Sequence, residues 1–216
     1  MSPSSYSLFR RRLLRAGAGA TTLLAAPALV RAQALVPTPP QTEGPFYPVA
    51  LPSDADNDLV SVRGAGAAAR GVVTHITGRV RDTAGLPIVG ARVEIWQCDA
   101  QGLYDHPRQS DLGRRDQGFQ GFGQTTAAAD GTYRFRTIRP VAYSGRTPHI
   151  HFRVVAPDDR RLTTQMYVAG EAGNERDGVF RAIRDPRQRQ QVVVSLVPAA
   201  GLEPGALAGT FDIVLA

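Results

Sequence analysis

From Gly71 onward, apolar side chains recur at every second position in short runs, the period of half-buried β-strands. Val72–Val80, Ala91–Cys98, Thr132–Ile138, Pro148–Val155, Leu162–Val168, Val192–Val197 and Thr210–Leu215 read as strands. Gly85 with Pro87, and Asp130 with Gly131, mark turns between them. Only Asp177–Ile183 carries a weak helical pattern. Many short strands with almost no helical period predict an all-β fold, an antiparallel β-sandwich with long loops and little helix. Residues 35–70 read as an N-terminal arm and loop, and 71–216 as the sandwich domain. Asp99–Thr126 is too long for a simple connection, and loops of that length usually carry function. No internal repeat is present.

The front of the chain has a different pattern. Arg10-Arg11-Arg12 precedes an apolar, Ala/Gly-rich run that ends at Ala32-Gln33-Ala34. A basic cluster, a short apolar stretch and an A-x-A site predict a secretory signal over residues 1–34. The consecutive arginines before Leu13-Leu14 fit the twin-arginine type, which exports proteins already folded, so a periplasmic location is expected. The apolar run is short and rich in small residues, which disfavours a stable membrane span. This segment accounts for most of the charge. The formal net charge is +6, and losing five arginines with no acid brings it near neutrality. No nucleic-acid partner is implied.

Composition narrows the chemistry further. The chain contains no lysine, which excludes a lysine Schiff base. Cys98 is the single cysteine, so no intrachain disulfide can form, and its apolar strand reads as the home of a buried, inert thiol.

The most informative stretch is Tyr143-Ser-Gly-Arg-Thr-Pro-His-Ile-His151. On a strand, His149 and His151 point to one face and can ligate one metal ion. Tyr143 lies across a Gly-containing turn that could fold it back toward them, with Arg146 inside that turn. A fourth ligand is sought in the long loop, which carries Tyr104 and His106. Two phenolates with two imidazoles form a hard, anionic set, suited to a trivalent ion such as Fe(III) rather than Zn²⁺ or Cu(I). A phenol ligates well only when the cation removes its proton.

Several segments together resemble the intradiol ring-cleavage dioxygenases. They are Thr42-Glu43-Gly44-Pro45-Phe46-Tyr47; Gly78-Arg79-Val80-Arg81-Asp82 with Gly85 and Pro87; Gly90-Ala91 to Trp96-Gln97, with Tyr104; Asp130 to Phe135; Arg146 to Phe152; and Leu162 to Gln165. The resemblance runs from about Thr42 to the C-terminus. It is nearer the compact catalytic subunit of the protocatechuate 3,4-dioxygenase branch than the helix-bearing catechol 1,2-dioxygenase branch. It implies one non-haem Fe(III) per chain, held by Tyr104, Tyr143, His149 and His151. Tyr104 would stay bound and Tyr143 would leave when substrate arrives. Arg146 would stabilise charge on the bound ring, with Gln165 as a polar pocket residue beside it. The implied partners are a small catecholic substrate and O₂, and the implied product is a cis,cis-muconate-type diacid. Family members usually associate, which leaves a homo-oligomer open without the sequence fixing the oligomeric state. The sequence departs from the family's Arg-Pro-Ala pattern at Arg146-Thr147-Pro148, where the proline stands one position later.

The alternative class is an exported β-sandwich that binds a metal or ligand without catalysis. A hydrolytic metalloenzyme is disfavoured because no Asp or Glu base lies near the His pair in sequence. His106 is read as a neighbour of the site or a surface residue, and His75 as a strand residue. Tyr47, Tyr133 and Tyr167 are read as packing residues, and Arg181–Arg189 as a solvated face or subunit contact.

Overall fold

The computed structural model describes residues 34–216. The expected export signal lies outside them except for Ala34. Among the described residues the strands run β1 (Val73–Asp82), β2 (Arg92–Trp96), β3 (Phe122–Thr126), β4 (Thr132–Ile138), β5 (His149–Val155) and β6 (Arg161–Val168). Two short helices follow, α1 (Gly178–Arg181) and α2 (Pro186–Gln191). The chain closes with β7 (Val193–Val194), β8 (Val197–Pro198), β9 (Leu207–Thr210) and β10 (Ile213–Leu215). Among the described residues no helix is long and apolar enough to cross a membrane.

The strands form two sheets, so the sandwich expected from the alternation is present. One sheet has the order β3-β2-β5-β6-β7. In the other, β1 pairs along one edge with β4, while β9 and β10 take successive parts of its other edge. Ile76 and Val80 of β1 and Phe135 of β4 meet Val93, Ile95, Ile150, Phe152 and Val154 in one buried cluster. Phe152 sits among the rings of Tyr133, Phe135 and Phe211, with centroid separations of 6.2, 6.5 and 4.9 Å. Truncating such a buried ring to alanine costs on the order of 3–5 kcal/mol.

The sheets are mixed rather than purely antiparallel. β9 and β10 run parallel to β1, and β7 runs parallel to β6. A parallel pair needs a crossover, and α1 and α2 lie in the connection between β6 and β7. Helix α2 overlaps the end of the Arg181–Arg189 run expected to be a solvated face or subunit contact. Its signal is Asp185 as a side-chain N-cap with Pro186 in the first turn. Arg181, Arg184 and Arg187 of that run are exposed.

Two expected strands are each divided. Val192–Val197 splits because β7 joins the sheet of β6 while β8 pairs with β9 in the other. Thr210–Leu215 splits at Phe211 and Asp212, which step around Gly78. There the Phe211 carbonyl accepts from the Tyr133 hydroxyl, and Asp212 accepts from the Arg79 amide. A Cβ at Gly78 would lie 1.9 Å from the Phe211 oxygen, so only glycine permits this approach.

The expected long loop also ends sooner, because its last five residues form β3, paired antiparallel with β2. Glycines hide the alternation there. Gly123 is required because a Cβ would meet Leu59 Cδ1 and the Asp56 oxygen, each at 2.5 Å. The preceding arm and loop belong to the same unit, and Leu59 and Val60 are fully inside the core.

Candidate metal centre

The centre is built on the outer face of β5. Its inner face sends Ile150, Phe152 and Val154 into the core, so alternation sends His149 and His151 the other way. Register supplies their neighbours. His151 pairs with Trp96 of β2 on one side and Gln165 of β6 on the other, and His149 pairs with Tyr167. Opposed residues share a face, so Trp96, His151 and Gln165 form one row across the sheet. The Trp96 and His151 rings stack at 4.8 Å.

The turn before β5 orients Tyr143 and Arg146. Ser144 and Gly145 have φ of 42° and 77°, the positive pair that a type I′ turn requires. Tyr143 and Arg146 are therefore bridged backbone partners, with the Arg146 amide donating to the Tyr143 carbonyl at 2.7 Å. Their side chains leave the turn on one side.

The loop after β2 brings Tyr104. Asp99 is buried and accepts from the amides of Gln101, Leu103 and Asp116. These bonds fold the chain so that the Tyr104 ring meets Tyr143 at 5.1 Å and His151 at 6.3 Å between centroids. Tyr143 meets His149 at 5.4 Å. The Nε2 atoms of His149 and His151 are 3.2 Å apart. The four residues singled out from the sequence thus converge, although they come from three separate segments. Among the described residues no group of three His, Cys, Asp or Glu is placed to hold a metal, so any such ion would depend on the tyrosines.

The donor set fits a cation. His149 Nδ1 lies 2.6 Å from the Thr147 carbonyl. That oxygen only accepts, so Nδ1 carries the proton and Nε2 keeps its lone pair. Burial, then the Arg146 charge, lower the His149 pKa to about 4. Burial, then His149 and Arg146, hold His151 well below the usual value. Both rings are therefore neutral donors at pH 7. Tyr104 Oη is buried without a hydrogen-bond partner, an arrangement that costs stability unless something answers it. Burial raises the pKa of both phenols, that of Tyr104 most strongly. Without a cation to remove their protons they stay neutral.

A second layer surrounds these groups. Arg146 donates through Nε to Asp177 Oδ2 at 2.7 Å and through a terminal nitrogen to Gln165 Oε1 at 2.7 Å. Gln165 also donates to the Thr42 carbonyl, and its own amide donates to Gln41 Oε1. The Tyr167 hydroxyl, taken from the sequence as packing, donates to Gln165 Oε1 and accepts from Gln41. Burial opposes ionisation of Asp177, but hydrogen bonds from Arg146, Phe180 and Thr147 outweigh it, so its pKa falls below the ordinary value.

The arm covers the site. Phe46 stacks on Tyr104 with centroids 4.5 Å apart and meets His106 edge-on at 5.7 Å. His106 is buried, and its Nδ1 accepts the Arg108 amide. Tyr47 donates to buried Glu94 and lies under the Arg153 guanidinium, which also pairs with Glu43. Cys98 is buried nearby, its thiol pushed up to about 12 mainly by desolvation. Sequence reasoning missed Asp177, Gln41 and the part played by Tyr167. The available signals were Asp177 preceding a helical pattern, as an N-cap does, and Tyr167 lying two residues from Gln165 on one strand face.

The β-sandwich thus carries two tyrosines and two histidines around one point, an oxygen-and-nitrogen donor set on a sheet face with a clamped arginine beside it. The family model described as Dioxygenase matches residues 42–216. The chain belongs to the intradiol ring-cleavage dioxygenase family. It is 36% identical over 149 residues to the protocatechuate 3,4-dioxygenase beta chain of Burkholderia cepacia, covering 65% of this chain and 63% of that one. It is also 36% identical over 131 residues to a hydroxyquinol 1,2-dioxygenase of Corynebacterium glutamicum, covering 52% and 42%. Among solved structures, the dioxygenase domain of a carbohydrate-binding fusion protein from Streptomyces sp. SirexAA-E matches with a TM-score of 0.63 and 34% identity, covering 83% of this chain and 98% of that one. The chain thus spans 63% and 42% of the length of the two curated relatives.

Proposed function

We propose that the protein is an intradiol dioxygenase that opens a catecholic ring between its two hydroxyls, using O₂ and one Fe(III) held by Tyr104, Tyr143, His149 and His151. The observation that carries this reading is the meeting of those four side chains at one point. Bound Fe(III) would hold the two deprotonated ring oxygens and draw electron density from the ring, making a ring carbon reactive toward O₂.

The chain's own residues would do the rest. Tyr104 is enclosed, only 2% exposed, with the Phe46 ring stacked on it. Tyr143 is only partly buried and stands beside a surface cavity of about 540 Å³ lined by Ala142, Ser144, Arg146 and Arg176. That difference supports Tyr104 as the fixed ligand and Tyr143 as the one displaced by substrate, its oxygen taking a substrate proton. Arg146 cannot lose its charge at neutral pH, and Gln165 and Asp177 hold it in place. A fixed cation where negative charge develops is worth roughly 3 kcal/mol in comparable sites. Phe46 and Tyr47 exclude water from the Tyr104 side. Ring opening would leave a cis,cis-muconate-type diacid.

Purified protein should be burgundy from tyrosinate-to-iron charge transfer, and should consume dioxygen with catechol, protocatechuate or hydroxyquinol. A coloured protein inactive on all three would favour the non-catalytic binding reading. A colourless protein that holds no iron would end the dioxygenase reading and leave the non-catalytic binding one. We also propose export through the twin-arginine route, on the Arg10-Arg11-Arg12 cluster and the apolar run after it. Replacing Arg10, Arg11 and Arg12 by glutamine should retain the protein in the cytoplasm, and unchanged periplasmic recovery would refute it.

A further inference from the structure

We infer that Asp177 is the positioning residue of Arg146, and that the Thr147 amide and Asn174 brace this clamp. The inference rests on the reading of Arg146 given above. The Asp177 side chain is fully buried. Oδ2 accepts Arg146 Nε at 2.7 Å and the Thr147 amide at 3.0 Å. Oδ1 accepts the amides of Val179 and Phe180 at 2.9 and 3.1 Å. One carboxylate therefore closes the start of α1 and fixes the guanidinium, so the helix and the arginine are located by the same group. A charged, multiply hydrogen-bonded pair of this kind is directional as well as strong.

The brace depends on residue 147 not being proline. Proline has no N–H and could not donate to Asp177. Thr147 donates its amide to Asp177 and its hydroxyl to Asn174 Oδ1 at 2.8 Å. Asn174 then donates to the Val168 carbonyl at 2.9 Å, anchoring the assembly to the end of β6. Gly173 admits this packing, since a Cβ there would lie 2.8 Å from Thr147 Oγ1. The guanidinium is thus held on one side by Gln165 and on the other by a carboxylate tied to two separate segments. Freed from Asp177, Arg146 would keep only its contact with Gln165 and could turn toward solvent along the 540 Å³ cavity.

The test separates the clamp from the helix cap. Serine caps helices well but is too short to reach Arg146. Asp177→Ser should keep the melting temperature within a few degrees and retain iron and colour. It should lower kcat about tenfold or more, a loss of the size small misplacements produce. In an Arg146→Gln background the same substitution should cost nothing further, because the group it positions is gone. Equal losses in both backgrounds, or no loss in either, would overturn the inference. If the wild-type protein cleaves none of the catechols, the functional reading fails by itself. The clamp is then decided by a crystal structure of Asp177→Ser, where a displaced guanidinium supports it and an unmoved one refutes it.

Discussion

Phe46 lies flat on Tyr104, with ring centroids 4.5 Å apart and planes within 12° of each other. The contact joins the N-terminal arm to the loop after β2, and it covers one side of the centre. It also explains why two aromatics stand between prolines in Gly44-Pro45-Phe46-Tyr47-Pro48. The prolines fix the backbone so that the rings reach the sheet without a strand to hold them.

Phe46→Ala removes that ring. Stability should fall by about 1–2 kcal/mol, from the stacking and the apolar area together, and Tyr104 should become open to water. Urea denaturation measures the first effect and the tyrosinate absorption band the second. If both are unchanged, the arm is not held by this contact.

Tyr143 and His149 should respond differently to mutation. Tyr143→Phe should slow turnover by about a hundredfold or more, the scale of a lost proton acceptor, while keeping most of the iron. His149→Ala should lose the iron outright, because the donor fixed by Thr147 disappears. Metal analysis beside oxygen uptake tests both, and full iron content in His149→Ala would contradict the ligand assignment.

The metal-free protein should weaken in mild acid. An unfolded imidazole titrates near 6.5, whereas burial and Arg146 hold His149 at about 4. Between those values the unfolded chain binds a proton that the native chain does not, so stability falls as pH falls through this window. The loss from His149 should be roughly 2–4 kcal/mol, and His151 adds to it in the same direction. Denaturation of metal-free protein from pH 7 to pH 4.5 checks this; a flat profile would mean that the rings protonate without cost in the fold.

Gly78→Ala should be among the most damaging single changes outside the site. The new methyl would overlap the Phe211 carbonyl and crowd the Tyr133 hydroxyl that donates to it. The strand β1 and the step between β9 and β10 cannot both stay in place. A loss of about 3 kcal/mol or more is expected, the upper range for overpacking, read by chemical denaturation.

Much of the fold was legible because burial alternates along the strands. β1 shows this in Ile76, Gly78 and Val80, all buried against exposed or half-buried neighbours. Legibility failed where the pattern is not made by side chains. β3 contains Gly123 where Leu59 needs the space, so its alternation is broken. The parallel pairing of β9 and β10 leaves no periodic trace, since a strand's sequence does not record the direction of its partner. The site was legible to a similar extent. The His-x-His spacing on a strand, with Tyr143 across a Ser-Gly turn, by itself points to one face. Asp177 was not legible, because a carboxylate before a short helix looks like an ordinary cap, and its second task exists only where Arg146 arrives from 31 residues away.

By itself the sequence determined the local geometry. Residue spacing put the two imidazoles on one strand face, Ser144-Gly145 turned Tyr143 back beside Arg146, and alternating apolar residues divided the core from the outer face. The tertiary structure decided which distant segments met there. Tyr104, Phe46, Gln165 and Asp177 reach the centre through strand register, loop folding and a crossover. Those depend on packing summed over the whole molecule, and no window of neighbouring residues contains it.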